Sequence, residues 1–566
     1  MKAHFFAIPR IRVIGTLLLA CAWLAYDHYE PWVNFHSEAL SLWGLGLLAI
    51  AECLRTPTGP ICSTPRAPIA LIGAVTGFVW LQFSLGIGIF FGDALLVSLY
   101  LSALAVAITL GYRYATVGVP NTDLAWAFAP LGVAALLSAI IGLLQWQNLE
   151  GVLGMYAVEA SLGDRPMGNV GQPNQLATLL LMGLVSLAWA YSRRLAGRLV
   201  CAVCVSFLTL ILALTQSRSG MLGAVTASVF LAWKAHTTPS RMAPRHFLIW
   251  LLGYGILLLL VPTIYDMLYM GGDRSALSLF TTTDRYAIWG QSLLAIAQSP
   301  WLGYGWPQTP AALAVGSMHV PGTTIFTFSH NIVLDMLLWN GIPVGLLIAG
   351  LCAWWFLSRL CNATQTHTVF AMAALLPVLI HSMVEYPFAY SYFLLAAGLL
   401  VGIVEAANPR AVVTPLSPKL VALGLGVWFC VGGVMVYEYF RMEAGYRLAR
   451  MVNQGLEQKP TNYQQPPSML LTQLGALLTA VCIYPAPNMP TAELETMRLV
   501  LHRFANREVH LNYILALGLN GNTTEAIRQL SILRAMYGKR SFKVAQFVLR
   551  NWQKKYPELA LVQVPS

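Results

Sequence analysis

Residues 124–146, LAWAFAPLGVAALLSAIIGLLQW, run from Leu124 to Trp146 without one charged side chain. A bilayer core about 30 Å thick calls for about 20 such residues in a helix. Lipid offers the backbone no hydrogen-bond partners, so a segment of this length must supply its own as a helix. Working outward, similar runs fall at roughly 11–26, 38–53, 68–86, 92–111, 174–191, 197–215, 219–234, 246–265, 330–357, 367–384, 389–406 and 418–440. The expectation is an all-α polytopic membrane protein with about 13 transmembrane helices. The whole chain of 566 residues agrees, being 57% hydrophobic and 10% charged against about 25% charged in an ordinary soluble domain. Mean hydropathy is +0.63. Those figures exclude a disordered chain, a coiled coil and a conventional cytosolic enzyme.

Net charge is +11. In a membrane protein this excess marks cytoplasmic loops, and no basic run interleaved with aromatics suggests nucleic acid. The loops alternate in charge. One set carries Lys2, Arg10 and Arg12, Arg55 and Arg66, Arg113, Arg193, Arg194 and Arg198, Lys234, Arg241 and Arg245, Arg359, and Arg410 and Lys419. The other carries Asp27, Glu30 and Glu38, Asp93, Glu150, Glu159 and Asp164, Asp266 and Asp273, and Glu385. The positive-inside bias puts the N-terminus in the cytoplasm, and thirteen crossings deliver residues 441–566 to the opposite side. The nine cysteines mostly sit in apolar runs, as Cys201 and Cys204 do in LVCAVCVSFLTLIL, and read as packing side chains.

Residues 1–440 therefore form a membrane domain and 441–566 a soluble helical one. Two external loops, 147–173 and 265–329, are long enough to carry function. In the second, DRYAIWGQSLLAIAQSP reads as an amphipathic helix with Tyr286, Trp289, Leu293, Ile296 and Ala297 on one face, ended by Ser299-Pro300. Tyr304 and Trp306 beside it suit the membrane interface. In the tail, a break runs from Lys459-Pro460 to Pro466-Pro467. HLNYILALGLNGNTTEAIRQLSILRAMY then resembles a tetratricopeptide-like hairpin, with a plain helical hairpin as the equal alternative.

Four constellations on the external face could carry chemistry, and a fifth adjoins them. GDRPMGNVGQPNQLA (163–177) sets Asn169, Gln172, Asn174 and Gln175 among glycines, as neutral groups suited to sugar hydroxyls or as a capped helix start. TQSRSG (215–220) puts Arg218 in a polar break, as a phosphate ligand or a snorkelling turn residue. Arg285 opens the amphipathic helix behind a cap at Thr283 or Asp284, as an anion ligand or half of a local ion pair. FTFSHNIVLDMLLWNGIP (326–343) brings His330 to the water boundary, where a neutral imidazole can accept a hydroxyl proton or simply cap a helix. Asp335, deeper in the same span, needs a polar partner. HSMVEYPFAY (381–390) places His381 and Glu385 four residues apart on one helix face, followed by Tyr386. No Walker loop, HExxH or GxSxG is present, and no external carboxylate cluster invites a divalent ion.

Taken together, GNVGQPNQLA, TQSRSG, DRYAIWGQSLLAIAQSPWLGYGW, FSHNIVLDMLLWNGI and EYPF resemble the O-antigen ligase and polymerase superfamily. The likeness is strongest to its bacterial protein O-oligosaccharyltransferase branch, the pilin glycosylation ligases. The resemblance implies a multi-pass protein of the bacterial inner membrane with a periplasmic C-terminal domain. It implies an inverting glycosyltransferase, with no metal and no cofactor, that moves a glycan from undecaprenyl pyrophosphate to serine or threonine of an exported protein such as a type IV pilin. By matching position, His330 would be the base, Arg218 and Arg285 would bind the donor pyrophosphate, and Gln172 and Tyr386 would line the substrate pocket with Asn174 and Asp335. An O-antigen ligase acting on lipid A-core and an O-antigen polymerase share the superfamily. From another class, a lipid-linked glycan transporter would spread polar residues along a pathway and show internal repeats.

Overall fold

A computed structural model of the chain describes residues 2–55, 62–117, 120–161, 163–267, 284–322, 326–456 and 464–563. The protein is helical almost throughout, and each of the thirteen apolar runs falls on a helix. In order these are α1 (Lys2–Cys21), α2 (Phe35–Arg55), α3 (Arg66–Ser84), α4 (Phe91–Thr116), α5 (Pro120–Trp146), α6 (Pro173–Ser192), α7 (Arg198–Leu214), α8 (Arg218–Lys234) and α9 (Pro244–Met267). The connection after α9 supplies α10 (Asp284–Gln298) and α11 (Thr309–Ser317), after which come α12 (Ile332–Asn362), α13 (Thr366–Ser382), α14 (Ser391–Ala406) and α15 (Pro418–Asn453). The tail adds α16 (Thr472–Cys482), α17 (Thr491–Arg503), α18 (Arg507–Leu519) and α19 (Thr523–Lys555).

Among the described residues, 8 helices are long and apolar enough to cross a membrane, against the thirteen expected. For four of the helices outside that set the reason is length or charge. The apolar helices α7, α13 and α14 have 17, 17 and 16 residues, a rise of about 25 Å at 1.5 Å per residue. Helix α8 opens on Arg218 and closes on Lys234. One feature has no counterpart in the sequence reading: β1 (Cys62–Pro65) pairs antiparallel with β2 (Val413–Leu416), Cys62 opposite Leu416.

The chain forms two compact units. The first comprises Met1–Gly73, Tyr100–Thr281 and Cys352–Cys430, and the second Ala74–Leu99, Thr282–Leu351 and Val431–Ser566. In the first unit α6 runs through the core, with Leu176, Ala177, Leu179, Leu180 and Met182 fully buried. It packs on α5, α8 and α13. Gly220 makes that packing close, since a Cβ there would lie 2.8 Å from the Ala177 methyl. At another corner of this unit, Arg12 pairs with Glu52 (2.5 Å) and Asp123 (2.9 Å), Arg113 with Glu52 (2.9 Å) and Arg55 with Asp123 (3.0 Å). Three arginines that mark loops in the sequence are thus held by carboxylates, which buried charges require.

The second unit joins the tail to the segment that carries α10 and α11. Glu438 on α15 accepts the backbone N–H groups of Met469, Leu470 and Leu471. Arg503 at the end of α17 pairs with Asp93 at 2.9 Å, and the Gly92 N–H donates to Thr472. The predicted hairpin is α18 and α19, turning through Asn520, Gly521 and Asn522, with Ala526 buried in the second helix. The Lys459-Pro460 break lies outside the described residues.

Candidate functional site

The polar stretches fall into two clusters, one in each unit. The first unit holds Gln172, Asn174, Arg218 and Tyr386, and the second holds Arg285, His330 and Asp335.

In the first unit, the turn before α8 places Gln216 at φ +45°, a left-handed conformation that costs a non-glycine residue about 1–2 kcal/mol. The turn ends at Ser217, which caps α8 by accepting the Gly220 N–H (3.0 Å) and donates to the Asn174 side-chain oxygen (2.8 Å). Asn174 sits in the first turn of α6, and its amide N–H reaches Glu385 at 3.4 Å. Thr178, one turn further along α6, shares a hydrogen bond with His381 Nδ1 (2.9 Å). The mesh thus joins GQPNQLA, TQSRSG and HSMVEY. It presents Arg218, half-buried, as the first residue of α8, where donor N–H groups and the helix dipole favour an anion. Arg165, which the sequence reading passed over, lies at the same turn and donates to the Thr215 carbonyl (3.3 Å).

Three of the four amides taken as sugar ligands are committed elsewhere. Asn169 is buried, donates to the Leu24 and Tyr156 carbonyls and accepts the Val158 N–H. It braces the loop. Asn174 is committed to Ser217 and Glu385. Gln175 is buried and accepts from the Tyr392 hydroxyl at 3.3 Å. Gln172 stands half-buried at the N-cap position of α6. Tyr386 stacks on Tyr390 at 5.8 Å, and Tyr390 on Tyr392 at 5.5 Å. Burial pushes the Tyr386 hydroxyl above its ordinary pKa, so it acts as a neutral donor. This ladder begins where Ser391 opens α14, fixed by donating its N–H to Glu38 (2.8 Å). One detail corrects the sequence reading: α13 ends at Ser382, so Glu385 lies beyond the helix, in a turn whose N–H returns to the His381 carbonyl.

In the second unit, His330 precedes α12 instead of opening it, at φ +59°. Ser329 and Asn331 hold it on either side. Asn331 caps α12 by accepting the Val333 and Leu334 N–H groups, and the Ser329 hydroxyl donates to the Asn331 carbonyl. Asp335, fully buried, supplies the partner its depth demands by accepting the Ser329 N–H at 2.9 Å and the Thr309 hydroxyl at 3.3 Å. Thr309 accepts in turn from the Trp339 indole (2.8 Å). Asp335 is therefore a buried anchor for the turn. The imidazole of His330 is half-buried and meets Phe326 edge-on at 5.1 Å.

Arg285 lies half-buried in the first turn of α10. Its expected cap, Thr283 or the side chain of Asp284, lies outside the described residues. Helix α10 ends before Ser299-Pro300 as expected, but packs through Ile288, Gln291, Ser292 and Ala295. Tyr286 and Leu293 of the predicted apolar face are 67% and 57% exposed. Among the described residues no group of three His, Cys, Asp or Glu side chains is placed to hold a metal ion.

Known proteins match along most of this length. Residues 202–349 match the family described as O-Antigen ligase, residues 166–189 that described as Protein glycosylation ligase, and residues 369–551 that described as Virulence factor membrane-bound polymerase, C-terminal. A General O-oligosaccharyltransferase of Acinetobacter baylyi is 27% identical over 550 residues, covering 93% of this chain and 92% of that protein. A ComP-specific O-oligosaccharyltransferase of the same organism is 27% identical over 358 residues, 62% of this chain and 63% of that one.

Proposed function

We propose that this chain is a member of the O-oligosaccharyltransferase branch of the O-antigen ligase superfamily, and that it transfers a glycan en bloc from undecaprenyl pyrophosphate to serine or threonine hydroxyls of exported proteins, such as a type IV pilin. The enzyme sits in the inner membrane with its N-terminus in the cytoplasm and residues 441–566 in the periplasm. Arg218 and Arg285 hold the pyrophosphate, and His330 takes the proton of the attacking hydroxyl. The observation that carries the reading is the mesh at the start of α8. Ser217, Asn174 and Glu385, drawn from three distant stretches, fix the turn that presents Arg218.

The chemistry follows from the groups present. A diphosphate leaves readily when its growing negative charge meets fixed cations, and a preorganised guanidinium at a helix start supplies one without reorganisation. The acceptor hydroxyl has a pKa far above neutral, so its attack on the anomeric carbon gains from proton removal, typically by about 10²–10⁴-fold. The oxygen–carbon bond forms as the bond from carbon to phosphate oxygen breaks, inverting the anomeric centre. The proton passes to His330 and the electron pair leaves with the diphosphate. Neither step calls for a metal.

Deleting the gene and blotting both pilin and lipopolysaccharide tests the acceptor. Loss of pilin glycosylation with unchanged lipopolysaccharide is the expected result. The reverse pattern would identify a ligase acting on lipid A-core, and shortened O-antigen chains a polymerase.

A further inference from the structure

Helix α19 is built in two parts. It breaks at Gly538, whose φ of +75° and ψ of 176° are open to glycine and strained for other residues. Before the break it packs on α11, and the Ala535 carbonyl accepts the Gly322 N–H at 2.7 Å. Helix α11 begins at Thr309, the partner of Asp335, which holds the Ser329–His330 turn. The first half of α19 is therefore joined, within one unit, to the support of His330.

The second half is different. It carries Lys539, Arg540, Lys543, Arg550, Lys554 and Lys555, with no carboxylate between Glu525 and Glu558. The rest of 441–566 is nearly balanced, nine cations against seven carboxylates. All six cations are exposed, and among the described residues none takes part in an ion pair. Because they are spaced at helical intervals, they form no run in sequence and escape a linear reading. Arg540, Lys543, Phe547, Arg550 and Lys554 fall on one stripe. Phe547 at its centre is 67% exposed and Val544 beside it 52%. The opposite face, Phe542, Ala545 and Leu549, is buried in the tail.

We propose that this face of α19 is the docking surface for an acidic segment of the acceptor polypeptide, with Phe547 as its apolar anchor; this rests on the reading of the chain as a protein glycosyltransferase. Charge complementarity sets the sign of the partner, and an exposed aromatic ringed by Arg and Lys is the composition of an interface centre. A lipid surface fits less well. An interfacial helix turns its apolar face to the membrane, and here that face is already covered. A cationic patch predicted to lie outside the cytoplasm also runs against the topogenic bias, so anchoring does not account for it.

The test uses the full chain in phosphatidylcholine nanodiscs and a fluorescent peptide in which one serine is flanked by glutamates. A matched peptide carries glutamine in their place, and another carries lysine. Binding is read by anisotropy without any glycan donor. Wild type is expected to favour the glutamate peptide by at least about tenfold and to lose that preference as salt screens it. Lys543→Glu/Arg550→Glu/Lys554→Glu should reverse the preference toward the lysine peptide, which shows a folded protein with an inverted face. Because binding is read without donor, failure of the wild-type protein to transfer glycan would count against the proposed function alone, and His330→Ala should bind the peptides as wild type does. Equal binding of the glutamate and glutamine peptides, or an unchanged preference in the triple variant, overturns the proposal. So does loss of peptide binding when phosphatidylglycerol is added to the disc, which would assign the face to lipid.

Discussion

The turn before Arg218 and the turn at His330 reach similar ends by different means. Both hold a residue in the left-handed region, Gln216 and His330, and both lead into the N-terminus of a helix. The Arg218 turn is tied across helices by Ser217, Asn174 and Glu385. The His330 turn hangs largely on one buried carboxylate, Asp335, set within the same helix start. A relay of short side chains can be rewired if donors and acceptors are exchanged together. A single buried anchor cannot, because removing it orphans every group that it accepts from.

That contrast can be broken in four ways, taken from the largest expected effect down. Arg218→Ala removes a preorganised cation and should lower kcat for glycan transfer by about 10²–10³-fold. Measured single-turnover rates close to wild type would contradict the role of the first turn. Next, the two units should respond differently to acid. His510, buried on α18 in the second unit and bonded to Gln529, has its pKa lowered to about 4, first by burial. The folded tail therefore favours the neutral ring. Stability is fully present above the ordinary pKa near 6.5 and is lost as pH falls toward 4, by up to about 3 kcal/mol. Thermal melts of the full chain from neutral pH to pH 5 should show the tail loosening first, and His510→Asn should flatten that slope.

Third, Asp335→Ala should cost about 1–3 kcal/mol through the orphaned Ser329 N–H and Thr309 hydroxyl, read as a lowered Tm together with slower transfer. The smallest effect is the most diagnostic. Asn174→Asp sets a carboxylate against Glu385 and should slow transfer by about tenfold, a loss of about 1.4 kcal/mol typical of one hydrogen bond. Glu385→Gln added to it restores a donor and should recover most of the rate. Failure of the pair to recover would mean that Asn174 contacts substrate instead of supporting Ser217.

The sequence carries the helices plainly, because an apolar run of bilayer length has few alternatives. All thirteen runs are helical, although α7, α13 and α14 are shorter than a straight crossing and α8 is bounded by charges. It also carries the stretches that form the two clusters. Partners far apart in the chain are not legible from local pattern. Asn169 looks like a sugar ligand until its carbonyl partners at Leu24 and Tyr156 are known. Arg12, Arg55 and Arg113 look like loop charges until Glu52 and Asp123 are placed beside them. The pairing of Cys62–Pro65 with Val413–Leu416 spans most of the chain and has no periodicity to announce it. Helix α19 hides its cationic face for the opposite reason, since its spacing is helical and a linear scan is not.

The central claim is that His330 removes the acceptor proton while the arginines hold the diphosphate. The most direct measurement is transfer by purified wild-type and His330→Ala protein, side by side, from a polyprenyl-pyrophosphate-linked glycan to a serine peptide. The account predicts a loss of at least about 10²-fold in a variant that still inserts, purifies and melts like wild type. Wild-type turnover from that variant would contradict it.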